Sequence, residues 1–259
     1  MSHKISDSTV HQYRKPPSET TVSRASAMQQ NIRDVLGSNH ETFLQGSYKN
    51  DTAISDLNDV DIVAVRKNIF SGTFSGVPVS NTVYWDQIFS EIEEKLDSSP
   101  LYRGKHKRGD KCIKLTGSID VDIVPAVKVT TELEDPIAVF SFREGRERLN
   151  HPRVHFENGK NKNDRTEGHY KPIVRLMKNW TCAHFSDPRI APSFCVECMV
   201  HAVPDNLFSS DHAFSFAQVG LDIVRKINNP IAPVLNVAGT KNIFNEWPNK
   251  VESFLHKGI

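Results

Sequence analysis

Hydrophobic positions along the chain change their period near residue 160. Before it, short apolar runs of strand character are mixed with two amphipathic stretches. Met28, Ile32, Val35 and Leu36 share one face of a helix predicted over Thr20 to Leu36, with Gly37 as its stop. Ile88, Phe89, Ile92 and Leu96 predict a second helix from Tyr84 to Leu96. Thr42 to Leu44 reads as a short strand. Asp59 to Val65 is almost wholly apolar apart from its acids, as a buried strand would be. Lys111 to Leu115 and Ile119 to Val124 predict a hairpin around Thr116 and Gly117, and Ile137 to Phe142 a further strand. Gly72 to Ser80 and the Asn-, Lys-, Gly- and Asp-dense stretch Glu157 to Glu167 read as exposed loops. From Asn163 onward the spacing is helical, over Tyr170 to Phe185, Pro192 to Val203 and Ser215 to Ile227.

This order predicts an α+β fold. Residues 1–19 form a polar arm ending at Pro16-Pro17, residues 20–160 a catalytic lobe, and residues 161–259 a helical lobe. A chain of 259 residues can bury a substantial core. The formal net charge of +1 gives no global drive towards nucleic acid or membrane. No apolar run approaches the roughly 20 residues of a membrane span. Met1 to Thr20 lacks a signal-peptide core. Cys112, Cys182, Cys195 and Cys198 form no secreted disulfide framework. The expectation is a reduced, cytoplasmic protein without a membrane partner.

The candidate chemistry lies in the strands. Gln45-Gly46-Ser47 is followed, after eleven residues, by Asp59-Val60-Asp61-Ile62-Val63. Side chains at i and i+2 of a strand share a face, so Asp59 and Asp61 project together while Val60 and Ile62 point to the core. Like charges held that close call for a cation between them. A third acid comes from Asp120-Val121-Asp122-Ile123-Val124-Pro125. Asp120 and Asp122 have the same parity, and Asp122 is favoured because apolar residues flank it on both sides. Three such carboxylates suit a pair of Mg2+ or Mn2+ ions serving nucleotidyl transfer. Asp59 and Asp61 would bridge both ions and Asp122 would hold the one that activates the attacking hydroxyl. Gly46 would let a backbone N–H approach a phosphate, and Ser47 would add a hydroxyl donor.

Other candidates are weaker. Cys195 and Cys198, with Cys182 and His184, have spacing that zinc tolerates. They sit in an apolar helix, where cysteine is more often a small buried hydrophobe. His151, His155, His169 and His201 form no metal or triad pattern. The basic run Lys105 to Lys111 reads as a solvated hairpin before it reads as a phosphate contact.

These residues carry a family resemblance. Gly-Ser followed by Asp-x-Asp resembles the signature of the DNA polymerase β-like nucleotidyltransferases. Lys111-Cys112-Ile113-Lys114 before Asp120 to Ala126 resembles the third-acid strand of their cGAS/DncV-like branch. So do Lys171 to Trp180 and Ala191-Pro192-Ser193-Phe194-Cys195-Val196-Glu197, the latter as in the oligoadenylate synthase-like enzymes. The resemblance spans about Ser23 to Ile227. It implies a polymerase β-like core, a mixed sheet carrying three acids, with a helical lobe closing a cleft over it. It implies nucleoside triphosphate substrates, joined into a cyclic or short linear oligonucleotide messenger with release of pyrophosphate, in bacterial antiphage signalling. It implies that Lys178 and Ser193 contact the donor triphosphate, and Arg175 the acceptor or a phosphate. An activating protein or nucleic acid is a further partner the family allows, near Lys105 or in Glu157 to Glu167. The alternatives are nucleotidyl transfer onto a protein or RNA, and a nucleotide-binding protein without turnover.

Overall fold

A computed structural model describes residues 5–54, 59–75, 84–117, 119–130, 135–185, 192–228, 234–240 and 243. The end of the predicted 72–80 loop, and the C-terminal stretch with Pro230, Pro233 and Pro248, lie outside these. The chain forms two compact units: Ser18–Lys49 with Leu57–Arg153, and Met1–Pro17 with Asn50–Asp56 and Val154–Ile259. The division falls earlier than residue 160, and the N-terminal arm groups with the helices.

The first unit is built on a seven-stranded mixed sheet. Its strands are β1 (His40–Gln45), β2 (Asp59–Phe70), β3 (His106–Arg108), β4 (Ile113–Leu115), β5 (Asp120–Lys128), β6 (Ile137–Ser141) and β7 (Arg146–Asn150). The main path runs β1-β2-β5-β4-β3, with β6 paired to β5 and β7 to β6. The central β2–β5 pair is parallel, and the other pairs are antiparallel. The predicted hairpin is present as β4 and β5, with Ile113 opposite Ile123 and Leu115 opposite Val121.

Two helices cover one face, α2 (Glu19–Leu36) and α4 (Trp85–Ser98). Ser18 caps α2 by accepting the Thr21 N–H at 3.2 Å, and Gly37 ends it with φ +71°. Ala25, Ile32 and Leu36 of α2 and Ile88, Phe89, Ile92 and Leu96 of α4 pack on Val60, Ile62, Val121 and Ile123. On the opposite face Val63, Val65, Ala126, Ile137 and Val139 make a smaller apolar cluster. That second face also carries Asp59, Asp61, Asp120 and Asp122, by strand parity.

The second unit is helical: α1 (Asp7–Tyr13), α5 (Pro152–Arg165), α6 (Tyr170–His184), α7 (Ser193–His201) and α8 (His212–Asn228). Its core includes Tyr170, Ile173, Val174 and Met177 of α6, Val196, Met199 and Val200 of α7, and Phe216, Val219 and Ile223 of α8. Two sequence expectations need correction. Residues 7–13 of the polar arm form a helix. Ser6 caps it, Val10 enters the core, and its terminal carbonyls Tyr13 O and Arg14 O accept from Asn179 (2.8 Å) and Arg175 (2.7 Å).

The expected loop Glu157 to Glu167 is mostly α5. Its inward side makes polar bonds rather than apolar contacts. Asn158 Nδ2 donates to Val237 O at 2.8 Å, and Lys162 Nζ donates to Val203 O and Asp205 at 2.6 Å each. Hydrophobic periodicity cannot register a helix held this way.

Candidate active site

β1 ends at Gln45, whose Cα pairs in register with Asp61. The chain then turns at Gly46 into the short helix α3 (Gly46–Asn50). Gly46 has φ +68°, and a Cβ there would stand 2.3 Å from Asp61 Oδ2. A side chain would strain the backbone and collide with the carboxylate. The Gly46 turn therefore lies directly against Asp61. Ser47 follows, half-buried, in the first turn of α3.

On β2, Asp59 is exposed and Asp61 half-buried, while Val60 and Ile62 are buried. β5 runs parallel beside it, with Asp120 opposite Asp59 and Asp122 opposite Asp61. Residues in register on paired strands share a face, so four carboxylates form a two-by-two array. Its members differ. Asp120 is exposed and Oδ1 accepts the Gly117 N–H at 3.3 Å, which ties it to the hairpin turn. Asp122 is half-buried, with the Cys112 thiol close enough to feel its charge. Burial, then the charge of Asp122, push that thiol up to about 12, so it keeps its proton. Burial and the nearby charge of Asp59 likewise raise the Tyr48 phenol. Lys114, exposed on β4, is the register partner of Asp122 and brings a positive charge to the same face.

Three expected nucleotide contacts lie in the helical unit. Lys178 is 2% exposed. Its ammonium donates to Thr52 O (3.2 Å), Thr52 Oγ1 (3.1 Å) and Glu197 Oε2 (3.0 Å). Glu197 also accepts from Asn50 Nδ2 at 3.1 Å, Thr52 Oγ1 at 2.8 Å and His155 Nε2 at 2.9 Å. Burial alone would raise the Glu197 carboxyl, but Lys178 and the His155 bond hold it well below the usual carboxylate range. Arg175 is also buried; its guanidinium donates to Arg14 O at 2.7 Å and Asp51 O at 2.6 Å. Asp51 has φ +56°, so this arginine supports a strained turn. Ser193 is the first residue of α7, half-buried behind Pro192.

A family model described as the cGAS/DncV-like nucleotidyltransferase C-terminal helical domain matches residues 157–256. The cyclic UMP-AMP synthase of Rhodothermus marinus is 30% identical over 200 residues, covering 69% of this chain and 68% of that protein. The chain belongs to the cGAS/DncV-like nucleotidyltransferases. The structure of Rhodothermus marinus CdnE c-UMP-AMP synthase with Apcpp and Upnpp aligns with a TM-score of 0.79 at 26% identity, covering 98% of this chain and 94% of that one. The Elizabethkingia meningoseptica CdnE cyclic dinucleotide synthase with GTP and Apcpp aligns at 0.76 and 25% identity, covering 98% and 97%. The sheet unit is thus the α+β, polymerase β-like core of this nucleotidyltransferase family.

The donor set of this nucleotidyltransferase fits a hard divalent cation. Asp59, Asp61 and Asp122 offer only carboxylate oxygens, which such cations prefer, and Gly46 leaves the approach to Asp61 Oδ2 free of a side chain. Among the described residues, no group of three or more His, Cys, Asp or Glu side chains is drawn together tightly enough to hold a metal ion. Strand register is what assembles the acids. Cys195 and Cys198 are buried in the apolar core, Cys182 is exposed, and His184 Nδ1 lies 2.8 Å from Trp180 O. The cysteine pair is packing. In the basic run, His106 pairs with Asp97 at 3.0 Å, and Arg108 pairs with Glu93 and with Asp86 at 3.0 Å. Only Lys105, Lys107 and Lys111 of that run are exposed.

Sequence reasoning missed two groups. Cys112 enters the sequence reading only as part of a motif, yet its thiol lies near enough to Asp122 for that charge to raise it. Glu197 was read in the same way, yet it gathers four side chains. A signal for Glu197 existed: a carboxylate inside the apolar run Cys195 to Val200 has to find partners.

Proposed function

We propose that this enzyme joins ribonucleoside triphosphates into a cyclic di- or trinucleotide, with pyrophosphate leaving as each bond forms. The carboxylate array with the Gly46 turn against Asp61 carries the reading. Relatives support it, including the cyclic UMP-AMP synthase of Rhodothermus marinus and the cyclic dipurine nucleotide synthase of Elizabethkingia meningoseptica. Asp59, Asp61 and Asp122 would hold two Mg2+ or Mn2+ ions. When bound, these ions supply activation of the attacking hydroxyl and neutralisation of the triphosphate.

The chain's own groups orient the reactants. The backbone N–H groups at Gly46 and Ser47, with the Ser47 hydroxyl, cradle the donor phosphates. Ser193, at the start of α7, adds a hydroxyl where helix N–H groups are free. Lys178 joins the triphosphate by exchanging Glu197 for phosphate oxygens, and Arg175 serves the acceptor or a phosphate. In this reading the product is a cytoplasmic second messenger in bacterial antiphage signalling.

The test is incubation of purified protein with the four ribonucleoside triphosphates and Mg2+ or Mn2+, then phosphatase treatment and mass spectrometry. A phosphatase-resistant product with the mass of a nucleotide ring is the expected result. A nucleotide adduct on a protein or RNA, appearing only when cell lysate is added, would replace this reading with the acceptor-modifying one. A ring formed only with lysate would instead reveal an activator.

A further inference from the structure

Strand register lays one row of side chains across the sheet. Gln45 of β1 pairs with Asp61 of β2, Asp61 with Asp122 of β5, Asp122 with Lys114 of β4, and Lys114 with Lys107 of β3. Residues in register share a face, so an amide, two carboxylates and two ammonium groups follow one another at strand spacings of about 4.8 Å. Burial along β4 fixes the direction: Ile113 and Leu115, on either side of Lys114, pack in the core beneath α2 and α4, while Lys114 is exposed. The backbone around Lys114 is held at both ends. The Thr116 N–H donates to Lys105 O at 3.0 Å. Asp110, in the turn before β4, accepts from Ser141 Oγ at 3.0 Å and from the Arg143 N–H at 2.8 Å. Among the described residues Lys114 forms no ion pair. Lys128, farther along β5 on the same face, by contrast reaches Glu41 at 4.0 Å.

A fixed positive charge is a poor neighbour for an acid that has to hold a cation. It repels the incoming ion, the more so where water is excluded. The position serves the reaction only when an anion arrives with the metal. Asp122 is the acid on the side of the attacking hydroxyl. Lys114 lies beyond it in the row, on the side away from Asp61 and from the Gly46 turn that cradles the donor phosphates. We propose that Lys114 binds a phosphate group of the acceptor nucleotide, the one whose hydroxyl attacks. The inference rests on the synthase reading and on the place of Asp122 within it. An ammonium offers three donors on a flexible four-carbon stem, so it follows phosphate oxygens as the acceptor settles. It also offsets part of the negative charge that two nucleotides bring to one site. Lys107, one strand farther out, stays in solvent.

The experiment supplies a labelled 2′,3′-dideoxyribonucleoside triphosphate as donor, which has no hydroxyl to attack with. The acceptor is either a ribonucleoside triphosphate or the plain ribonucleoside, with each base tried in both roles. Lys114→Ala is expected to raise the KM for the triphosphate acceptor about tenfold at an unchanged melting temperature, and to change the rate with the plain ribonucleoside less than about twofold. Lys114→Arg, which keeps the charge, and Lys107→Ala, which removes one charge from the same row, are expected to stay within about threefold of wild type. Mn2+ binding without nucleotide, with free Mn2+ counted by electron paramagnetic resonance, is expected to be as tight in Lys114→Ala as in wild type, or tighter. An unchanged KM for the triphosphate acceptor overturns the proposal. So does an equal loss with both acceptors, or a loss of Mn2+ affinity, since either makes Lys114 a support of the site. If wild type binds Mn2+ but joins no nucleotides, the synthase reading falls. Calorimetry of ribonucleoside triphosphate binding in Mn2+ then judges the lysine alone, and equal affinities in wild type and Lys114→Ala overturn it.

Discussion

Carboxylates are used in opposite ways in the two units. On the sheet, β2 and β5 bring Asp59, Asp61, Asp120 and Asp122 together in register, like charge beside like charge. In the helical unit, the single carboxylate of Glu197 is surrounded by donors from Lys178, His155, Thr52 and Asn50. The first arrangement costs stability until a cation arrives; the second is satisfied from within the chain. Carboxylates gathered side by side by strand register mark a place for a cation. A carboxylate surrounded by hydrogen-bond donors is satisfied by the fold.

The sharpest way to break this contrast is to remove one acid from each side. Asp59→Ala or Asp61→Ala should lower product formation by about 1000-fold or more, with a melting temperature unchanged or raised, because relief of repulsion offsets the lost side chain. Parallel rate assays and thermal melts check both halves. Glu197→Leu should do the reverse to stability. Leaving Lys178 buried without its partner should cost about 3–5 kcal/mol in urea unfolding. Equal stability losses on the two sides would erase the distinction.

The sheet half of this comparison was legible in the sequence and the Glu197 cluster was not. Alternation within Asp59-Val60-Asp61-Ile62 sets both the strand and the face of its acids, because a strand has a fixed period of two. Register did what sequence could not. It showed Asp122 beside Asp61, and Asp120 engaged with the turn at Gly117. The stretch Glu157 to Glu167, mostly helix in the structure, reads as a loop because the inward side of Pro152–Arg165 is made by His155, half-buried Asn158 and Lys162. Such a helix depends on partners distant in sequence: Glu197, Val237 and Asp205. No local pattern announces them.

A third prediction sharpens the contrast through pH. Burial, reinforced by the charge of Lys162, lowers His201 to about 4. The folded state therefore disfavours the protonated ring, while the unfolded chain takes up a proton below about 6.5. This contribution to stability is full above pH 6.5 and is lost as pH falls towards 4. Urea midpoints measured between pH 7.5 and 4 should fall less in His201→Phe than in wild type. Equal pH slopes would contradict the assignment.

The smallest expected effect lies in the basic run. Arg108 and His106 are committed to ion pairs, so the exposed charges there have little left to anchor. Lys105→Ala combined with Lys107→Ala should leave product formation within about twofold and stability within about 0.5 kcal/mol. A larger loss of rate at unchanged stability would turn that hairpin into a substrate or activator contact.

The central claim is that three register-placed acids, and not the fourth, carry nucleotidyl transfer. The most direct measurement is the yield of phosphatase-resistant nucleotide product from Asp122→Asn and Asp120→Asn beside wild type, under identical Mg2+ and triphosphate. The account predicts product from wild type and Asp120→Asn and none from Asp122→Asn. Product from Asp122→Asn, or its loss in Asp120→Asn alone, would contradict it.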